Sequence, residues 1–589
     1  MFPRVVTVKK GDQTYRYLKI VQCHRQDGRI KQRVVGNLGN IDRYSDEELR
    51  RLIAKLRSFL KNPGFGTLDD LETGESKQFG IPYAVGILWE RLGLDRAIAV
   101  ALRDKELAVD VSLCVKAMVV ARLCDPQSKR ATHEWLDRLY LPELEGGVPP
   151  LHHFYRALDH LVEAKEDLER HIYHRLTDLL SLRLNLVFYD VTSSYFEGTR
   201  CALGRYGYSR DQRPDCRQIT VGLLVTPEGL PIAHDVFPGN TLDGETVDGV
   251  LQTLRQRFEI AHVIFVGDRG MVSRETLKRL AEAGYSYVIG YHKRGRVLSD
   301  ALLAEHQDLS TYQRGEGGLL YKEVRLPALE GADEGARMIL CHNEEKAVED
   351  RAFREAALLE AEEELGALQA RLAAAGQPRR GRKLTPKGAI LRLARCLETK
   401  GVKRFFAVEY DGGHHLSFRR DEEAIAREAL RDGKFLVQTN AAELSSWQAV
   451  QAYKTLQRVE RAFREIKDFL RLRPVYHWNE SRVRGHVFVC VLAYLFEQWL
   501  EVLYDRHLQV LLAEARKLPD EEARLRELRR LQGSRLSGRG ILDLLSRLQA
   551  TAQSFVGKPF YAVTSPNPRV AHLLKALDLP HPPRIIPRQ

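Results

Sequence analysis

The stretch Leu186-Val-Phe-Tyr189 is apolar without alternation, and it ends on Asp190 before the chain turns polar through Thr192, Ser193 and Ser194. An unbroken apolar run of this kind predicts a strand buried on both faces. An acid at its end then lies at the rim of a sheet, where open α/β sheets keep their sites. A solvated strand end or a helix cap is the plainer account of Asp190 taken alone. The pattern returns in His262-Val-Ile-Phe-Val-Gly-Asp268, followed by a helix from Ser273. Between the two runs, residues 218–225 and 231–237 read as strands around the turn Pro227-Glu-Gly229, and 244–258 as a helix. Tyr285 to Tyr291 reads as a further strand. The order β-β-β-α-β-α-β predicts a mixed sheet.

Around this unit the periodicity changes. Residues 15–21 and 29–35 predict two strands about a turn at Asp27-Gly28, and Ser45 starts a helix with Glu47 and Glu48 in its first turn. Residues 62–79 are rich in turn formers and acids and read as a linker. Residues 80–182 are helical in period throughout. Within them Ser128 is a good N-cap for a helix carrying Lys129, Arg130 and His133 beside Trp135; this is either a DNA-facing surface or a solvated face over a buried ring. Residues 296–440 contain strand-like pieces and a long charged helix over about 343–375. The basic run Pro378-Arg-Arg-Gly-Arg-Lys383 follows, a solvated loop or a phosphate contact.

Composition narrows the class. With 589 residues, 44% hydrophobic and 29% charged, the chain has room for several domains and an ordinary globular make-up. Residues 1–18 are broken by Arg4, Lys9, Lys10 and Asp12, leaving no signal-peptide core. The most apolar run, Val487 to Phe496, is stopped by Glu497, too short to span a bilayer and suited to a buried helix. The eight cysteines show no metal-ligand spacing and read as thiols of a reducing compartment, the cytoplasm. A net charge of +12 permits a polyanionic partner without requiring one.

A third acid comes late. Residues 446–470 predict one helix, on which Tyr453, Leu456, Glu460, Phe463 and Lys467 are spaced 3, 4, 3 and 4. That spacing puts all five on one stripe. A stripe with Leu456 and Phe463 faces protein, so Glu460 is expected to point inward, where an acid needs a cation or a partner. An Arg pair at a helix interface is the simpler alternative.

The residues Phe188-Tyr-Asp190-Val-Thr192, Gly267-Asp268-Arg269-Gly270 and Tyr453…Glu460…Lys467 together resemble the DDE transposases of bacterial insertion sequences. One group of these carries the pattern Tyr-x2-Arg-x3-Glu-x6-Lys. Here Tyr453, Glu460 and Lys467 match in type and spacing, and Leu456 stands where the pattern has Arg. The resemblance implies a ribonuclease H-like mixed-sheet catalytic core with a β-containing insertion, in an α/β chain with a helical N-terminal region. The resemblance covers about 185–500, and together with the patterns outside it the chain divides into a small α+β module (1–62), a helical, DNA-binding region (80–182), the first part of the core (183–295), the insertion (296–440), the second part of the core (441–510) and a helical C-terminal region (511–589). The same resemblance implies Asp190, Asp268 and Glu460 as catalytic metal ligands, and Tyr453 and Lys467 as DNA-binding residues; Arg461, which follows Glu460 and can reach sideways, is expected to assist in place of the missing Arg. Thr192 and Arg269 flank the acids, and His234 and Asn240 read as structural.

Converging carboxylates repel one another unless a divalent cation lies between them, and hard oxygen ligands suit Mg²⁺ or Mn²⁺, expected as two ions. The implied partners are double-stranded DNA, as terminal inverted repeats and target, and a second copy of the chain; no membrane is implied. The implied place is the bacterial nucleoid. A nuclease of the same fold without strand transfer, and a catalytically idle DNA-binding relative, remain as alternatives.

Overall fold

In the computed structural model, which describes the chain apart from residues 27–28, 58, 60–69, 182–185, 253–256, 259–263, 269–273, 283, 292–299, 326–335, 375–384, 400 and 589, the chain opens on an antiparallel meander. Strands β1 (Phe2–Lys10), β2 (Gln13–Gln26) and β3 (Arg29–Asn40) pair in that order. Sequence pattern shows only the second and third, because Arg4, Lys9 and Lys10 obscure the alternation of β1. The turn at Asp27-Gly28 lies outside the described residues. Helix α1 (Asp46–Arg57) is fixed at its start by Ser45 and Glu48. The Glu48 amide donates to Ser45 Oγ at 3.2 Å and the Ser45 amide to Glu48 Oε2 at 2.9 Å, a capping box. Strand β4 (Leu71–Gln78) corrects the reading of this stretch as linker. Its acids hide a strand that is almost wholly exposed.

Six helices follow: α2 (Gly80–Leu92), α3 (Leu94–Ala101), α4 (Val111–Cys124), α5 (Lys129–Trp135), α6 (Leu151–Glu163) and α7 (Lys165–Leu180). Ser128 Oγ accepts from the Ala131 amide at 3.2 Å, the cap the sequence predicts.

The central sheet then starts. Strands β5 (Leu186–Phe196), β6 (Arg217–Val225) and β7 (Pro231–Pro238), helix α8 (Asp243–Gln252), strand β8 (Ile264–Asp268), helix α9 (Arg274–Glu282) and strand β9 (Ser286–Tyr291) come in the predicted order. Strand β5 pairs antiparallel with β6 and parallel with β8. Asp190 does not end its strand: β5 runs on to Phe196, because Val191 to Phe196 stay paired with β6. What stops near Asp190 is the pairing to β8. On one face, Val187, Tyr189 and Val191 pack with Val247, Leu277 and Leu280 of α8 and α9. Alternation therefore puts Phe188, Asp190 and Thr192 on the other face. His234 on β7 is structural: its amide donates to Glu169 at 3.0 Å, and Lys165 also meets that acid at 3.0 Å. Burial opposes the Glu169 charge, but Lys165, His234 and Arg257 hold the carboxyl at about 2.

The segment expected as an insertion widens this sheet. Helix α10 (Asp300–Glu305) is followed by β10 (Gln313–Arg314), β11 (Leu319–Val324) and β12 (Arg337–Asn343). Helices α11 (Glu344–Ala373) and α12 (Pro386–Thr399), the hairpin β13 (Phe406–Tyr410) and β14 (Leu416–Arg420), and α13 (Glu422–Ala429) come next. Strand β15 (Lys434–Thr439) then pairs with both β9 and β12. The result is a nine-stranded sheet in the order β10-β11-β12-β15-β9-β8-β5-β6-β7. The basic run at 378–383 lies outside the described residues.

The single helix predicted over 446–470 is divided. Helix α14 (Ser446–Thr455) packs on β8, β9 and β15, and α15 (Gln457–Arg464) packs on β5 and β6, before a π-helical turn over Glu465–Phe469. Helix α16 (Glu480–Ala515) is long and apolar enough to cross a membrane, yet 94% of its apolar window is buried inside the protein. It is a core helix, packed on α4, α6 and β7.

The last region, expected to be helical, also carries strands. After α17 (Glu521–Gly533) and α18 (Gly538–Leu545) come β16 (Gln549–Phe555), β17 (Lys558–Val563), α19 (Pro568–Ala576) and β18 (Ile585–Pro587). The β16–β17 turn uses Val556 at φ 55° and Gly557 at φ 72°, the left-handed pair of a tight hairpin. These strands and β4 form a four-stranded sheet. The chain divides into two compact units, one of residues 1–76, 550–563 and 583–589 and one of residues 77–549 and 564–582. All eight cysteines are free thiols.

Candidate active site

Two strands and one helix carry the three acids. The parallel rungs of β5 and β8 run Leu186–Ile264, Val187–Phe265 and Phe188–Val266. Asp190 and Asp268 each lie two residues beyond the last rung, so the register sets them level on neighbouring strands. The Asp268 side chain is outside the described set. Asp190 is half-buried, and its Oδ1 accepts from the Val191 amide at 2.7 Å. Helix α15, which carries Glu460, packs on β5 and β6.

Glu460 is exposed, not inward, although Leu456, Phe463 and Lys467 of the expected stripe are buried. The cause is the joint between α14 and α15. The Leu456 amide donates to Tyr453 O at 3.0 Å and the Val459 amide to Leu456 O at 2.9 Å. Three-residue turns advance about 120° per residue rather than 100°, which rotates Glu460 off the apolar stripe. An acid on this surface is open to solvent and to a cation.

Tyr453 takes its place through a missing side chain. Gly290 on β9 pairs with Asp268, and a Cβ on Gly290 would lie 2.0 Å from the Tyr453 ring. The ring therefore rests on the strand beside the Asp268 rung. Gly290→Ala is expected to expel the ring, lowering stability by about 1–3 kcal/mol and DNA cleavage more steeply than Tyr453→Phe does; denaturant melts and an end-cleavage assay measure the two effects.

The basic residues are more engaged than their sequence suggests. Lys467 Nζ meets Asp211 Oδ1 at 2.8 Å, and both side chains are buried. Arg473 also pairs with Asp211. Arg461 makes a bidentate pair with Glu501 at 2.7 Å on both arms. Arg458 donates to Pro227 O. Arg464, one turn beyond Glu460, is exposed and makes no ion pair among the described residues.

Asp211 itself was missed by pattern reading. It lies in the loop after β5, where Tyr206 and Tyr208 are exposed and Arg210 and Arg217 stand over Tyr208 and Tyr206 at 5.5 and 5.9 Å. The density of Arg and Tyr over 205–217 is a signal of nucleic-acid contact that the sequence does carry. Arg269 lies outside the described residues.

Behind α15, Glu501 also accepts from the Gly538 amide at 2.6 Å. Glu497, one turn earlier on α16, has a buried Oε2 with no hydrogen-bond partner among the described residues. Burial, together with Glu465 and Glu501, pushes its carboxyl up to about 8. A raised carboxyl pKa means that the folded state holds a proton the unfolded chain has lost. Stability therefore falls as pH rises from the ordinary carboxylate range to about 8. Glu497→Gln is expected to flatten that loss and to raise the melting temperature at alkaline pH, as read by thermal melts across the range.

Among the described residues no group of three or more His, Cys, Asp and Glu side chains has metal-binding geometry. Asp268 stands outside that set. The donor chemistry fits a hard divalent cation: the three acids offer only carboxylate oxygens, two of them on level rungs and the third exposed on the adjoining helix.

The mixed sheet thus carries Asp190 and Asp268 on two neighbouring parallel strands, with Glu460 on a helix packed against that sheet. The sequence profile of the transposase DDE domain matches residues 182–496, more than half of the chain. The chain belongs to this family, the DDE transposases. The N-terminal domain of IS1634 family transposases matches residues 3–63, which makes the protein an insertion-sequence transposase, an enzyme that cleaves DNA and transfers strands. No curated protein matches the chain. The family is divalent-metal dependent.

Proposed function

We propose that Asp190, Asp268 and Glu460 hold two Mg²⁺ or Mn²⁺ ions at which this transposase frees the 3′ ends of its element and joins them to target DNA. The level register of Asp190 and Asp268 carries this reading, with α15 packed on β5 beside them. Bound ions would lower the pKa of water and neutralise charge on the phosphodiester. The chain's own part is to set the carboxylates on rigid strands and to position the DNA. Water attacks phosphorus, the P–O3′ bond breaks, and the 3′ oxygen leaves with a proton. The freed 3′-hydroxyl then attacks a target phosphodiester, loses its proton and releases a target 3′-hydroxyl.

Tyr453 beside the Asp268 rung, with Arg464 on the open face of α15, is the part of the DNA-binding set best placed to meet substrate. Arg461 and Lys467 act through Glu501 and Asp211. The partners are the inverted repeats at the two element ends and the target duplex, at the nucleoid. Two ends to be cut together call for two copies of the chain. End recognition is assigned to residues 1–180, outside the sheet that bears the acids. The test supplies duplexes ending in the element's own terminal repeats, with a supercoiled target and Mg²⁺. Cleavage with joined product supports the reading; cleavage without joining reduces the enzyme to a nuclease, and neither overturns it.

A further inference from the structure

A cavity of about 490 Å³ opens in the larger unit between the start of α5 and the segment that follows the π-helical turn. Its wall includes Arg122, Lys129, Arg471, Arg482, Tyr476 and Trp478, and among the described residues no carboxylate lines it. Two of its cations are buried: Arg122 is 4% and Lys129 5% exposed. Neither has an acidic partner among the described residues. Arg122 spends its guanidinium on the Leu470 carbonyl at 3.1 Å. Lys129 Nζ has only His486 Nδ1, at 3.3 Å, while the other ring nitrogen, His486 Nε2, faces the Leu472 carbonyl at 3.2 Å.

Buried cations are ordinarily paired. Here two lie side by side, and burial together with Arg122 pulls the Lys129 ammonium down to about 7. Of the acids about the cavity, Asp159 Oδ2 meets Arg482 at 3.3 Å, Asp125 accepts from Gln127, and Asp211 and Asp468 pair with Arg473; Asp159 Oδ1 is buried without a hydrogen-bond partner among the described residues. Arg130, Arg473 and Arg482 of the same wall have carboxylate partners, whereas the positive charge gathered at Arg122 and Lys129 meets none among the described residues, and that corner suits an anion. At the mouth, Tyr476 and Trp478 are 66% and 64% exposed, two aromatic faces set in the same short segment as Arg471. The cavity is within the size range of small-molecule pockets, about 300–1,000 Å³, and too small for a duplex.

We propose that this cavity binds one unpaired nucleotide of a DNA strand, its phosphate on Lys129 and Arg122 and its base on Trp478 or Tyr476. The proposal rests on the chain being a DNA transposase. Stacking on an aromatic ring tolerates any base but needs a face that pairing and stacking in a duplex conceal. The wall segment is tied to the acid-bearing strand, because the Glu197 amide donates to Val475 O at 2.9 Å at the end of β5. A strand leaving the acids past β5 therefore has a basic, aromatic pocket on its way.

The test uses the full chain and fluorescently labelled pentathymidylate, read by anisotropy. Lys129→Met and Trp478→Ala are each expected to weaken binding about tenfold. The slope of log affinity against log salt should fall by about 0.7 in Lys129→Met and stay unchanged in Trp478→Ala. Trp478 is exposed, so its Ala variant carries the test if Lys129→Met does not fold. Unchanged affinity in the folded variants overturns the proposal. Cleavage of element-end DNA is measured alongside with the parent chain. Cleavage with unaltered probe binding in both variants removes the pocket and keeps the transposase reading of the acids; probe binding lost in the variants of a chain that never cleaves removes that reading and keeps the pocket.

Discussion

Asp190→Asn is expected to abolish end cleavage, by a factor on the order of 10³ or more, while the chain still binds terminal-repeat DNA. The argument is electrostatic. Asparagine keeps the size and the oxygen of the carboxylate but loses the charge that would hold a divalent cation against its hydration shell. Asp190 is half-buried on a strand paired on both sides, so the substitution changes charge without moving backbone. Asp268→Asn and Glu460→Gln should behave alike. Glu460 is the sharper case, because it is exposed and the isosteric change leaves the buried face of α15 intact. Single-turnover cleavage at saturating DNA, with a parallel binding assay, measures both halves. An Asn or Gln variant that cuts at the parent rate removes its residue from the site, whatever the other two do. Since the acids act as one unit, the double variants should be no slower than the single ones.

How far the sequence reveals this site depends on which signal each residue leaves. The strands that carry Asp190 and Asp268 were legible because a buried strand leaves an unbroken apolar run. The extent of β5 was not, because Val191-Thr-Ser-Ser-Tyr-Phe196 reads as a polar turn until its pairing with β6 is seen. Strands β10 to β12 and β15 were visible as strands but not as part of the main sheet, since a sequence shows period and not partners. The orientation of Glu460 failed for a different reason. The 3, 4, 3, 4 spacing assumes one uniform helix, and two three-residue turns at Leu456 and Val459 rotate its second half. The cation set was obscured most. Lys467 and Arg461 look like free basic residues because their partners, Asp211 and Glu501, are remote in the chain and ordinary in local pattern.

That last point sets the other large effect. Lys467→Ala is expected to act on stability and Arg464→Ala on catalysis, the reverse of a ranking by the Tyr-x2-Arg-x3-Glu-x6-Lys pattern. Lys467 is 8% exposed, and its ammonium is spent on Asp211, which also accepts from the Tyr195 amide at 3.3 Å. The pair ties the loop after β5 to the helix that bears Glu460. Removing one partner of a buried pair costs about 3–5 kcal/mol; Arg473 stays on Asp211, so a loss of about 2 kcal/mol is expected. Arg464 is exposed and carries no ion pair among the described residues, so its loss should leave the denaturant midpoint unchanged. It follows Glu460 by four residues, on the same side of α15, where a guanidinium meets a phosphate held at the acids and offsets its charge. The Arg that the pattern places at 456 is absent here, and Leu456 is buried in the joint. Leu456→Arg is therefore expected to destabilise the chain rather than restore a contact. Denaturant melts and saturating-DNA cleavage, run on Lys467→Ala, Arg464→Ala and Leu456→Arg together, separate the roles. Unchanged stability with lost cleavage in Lys467→Ala would show that its ammonium leaves Asp211 for the DNA, and full cleavage in Arg464→Ala would return the phosphate contact to the paired cations.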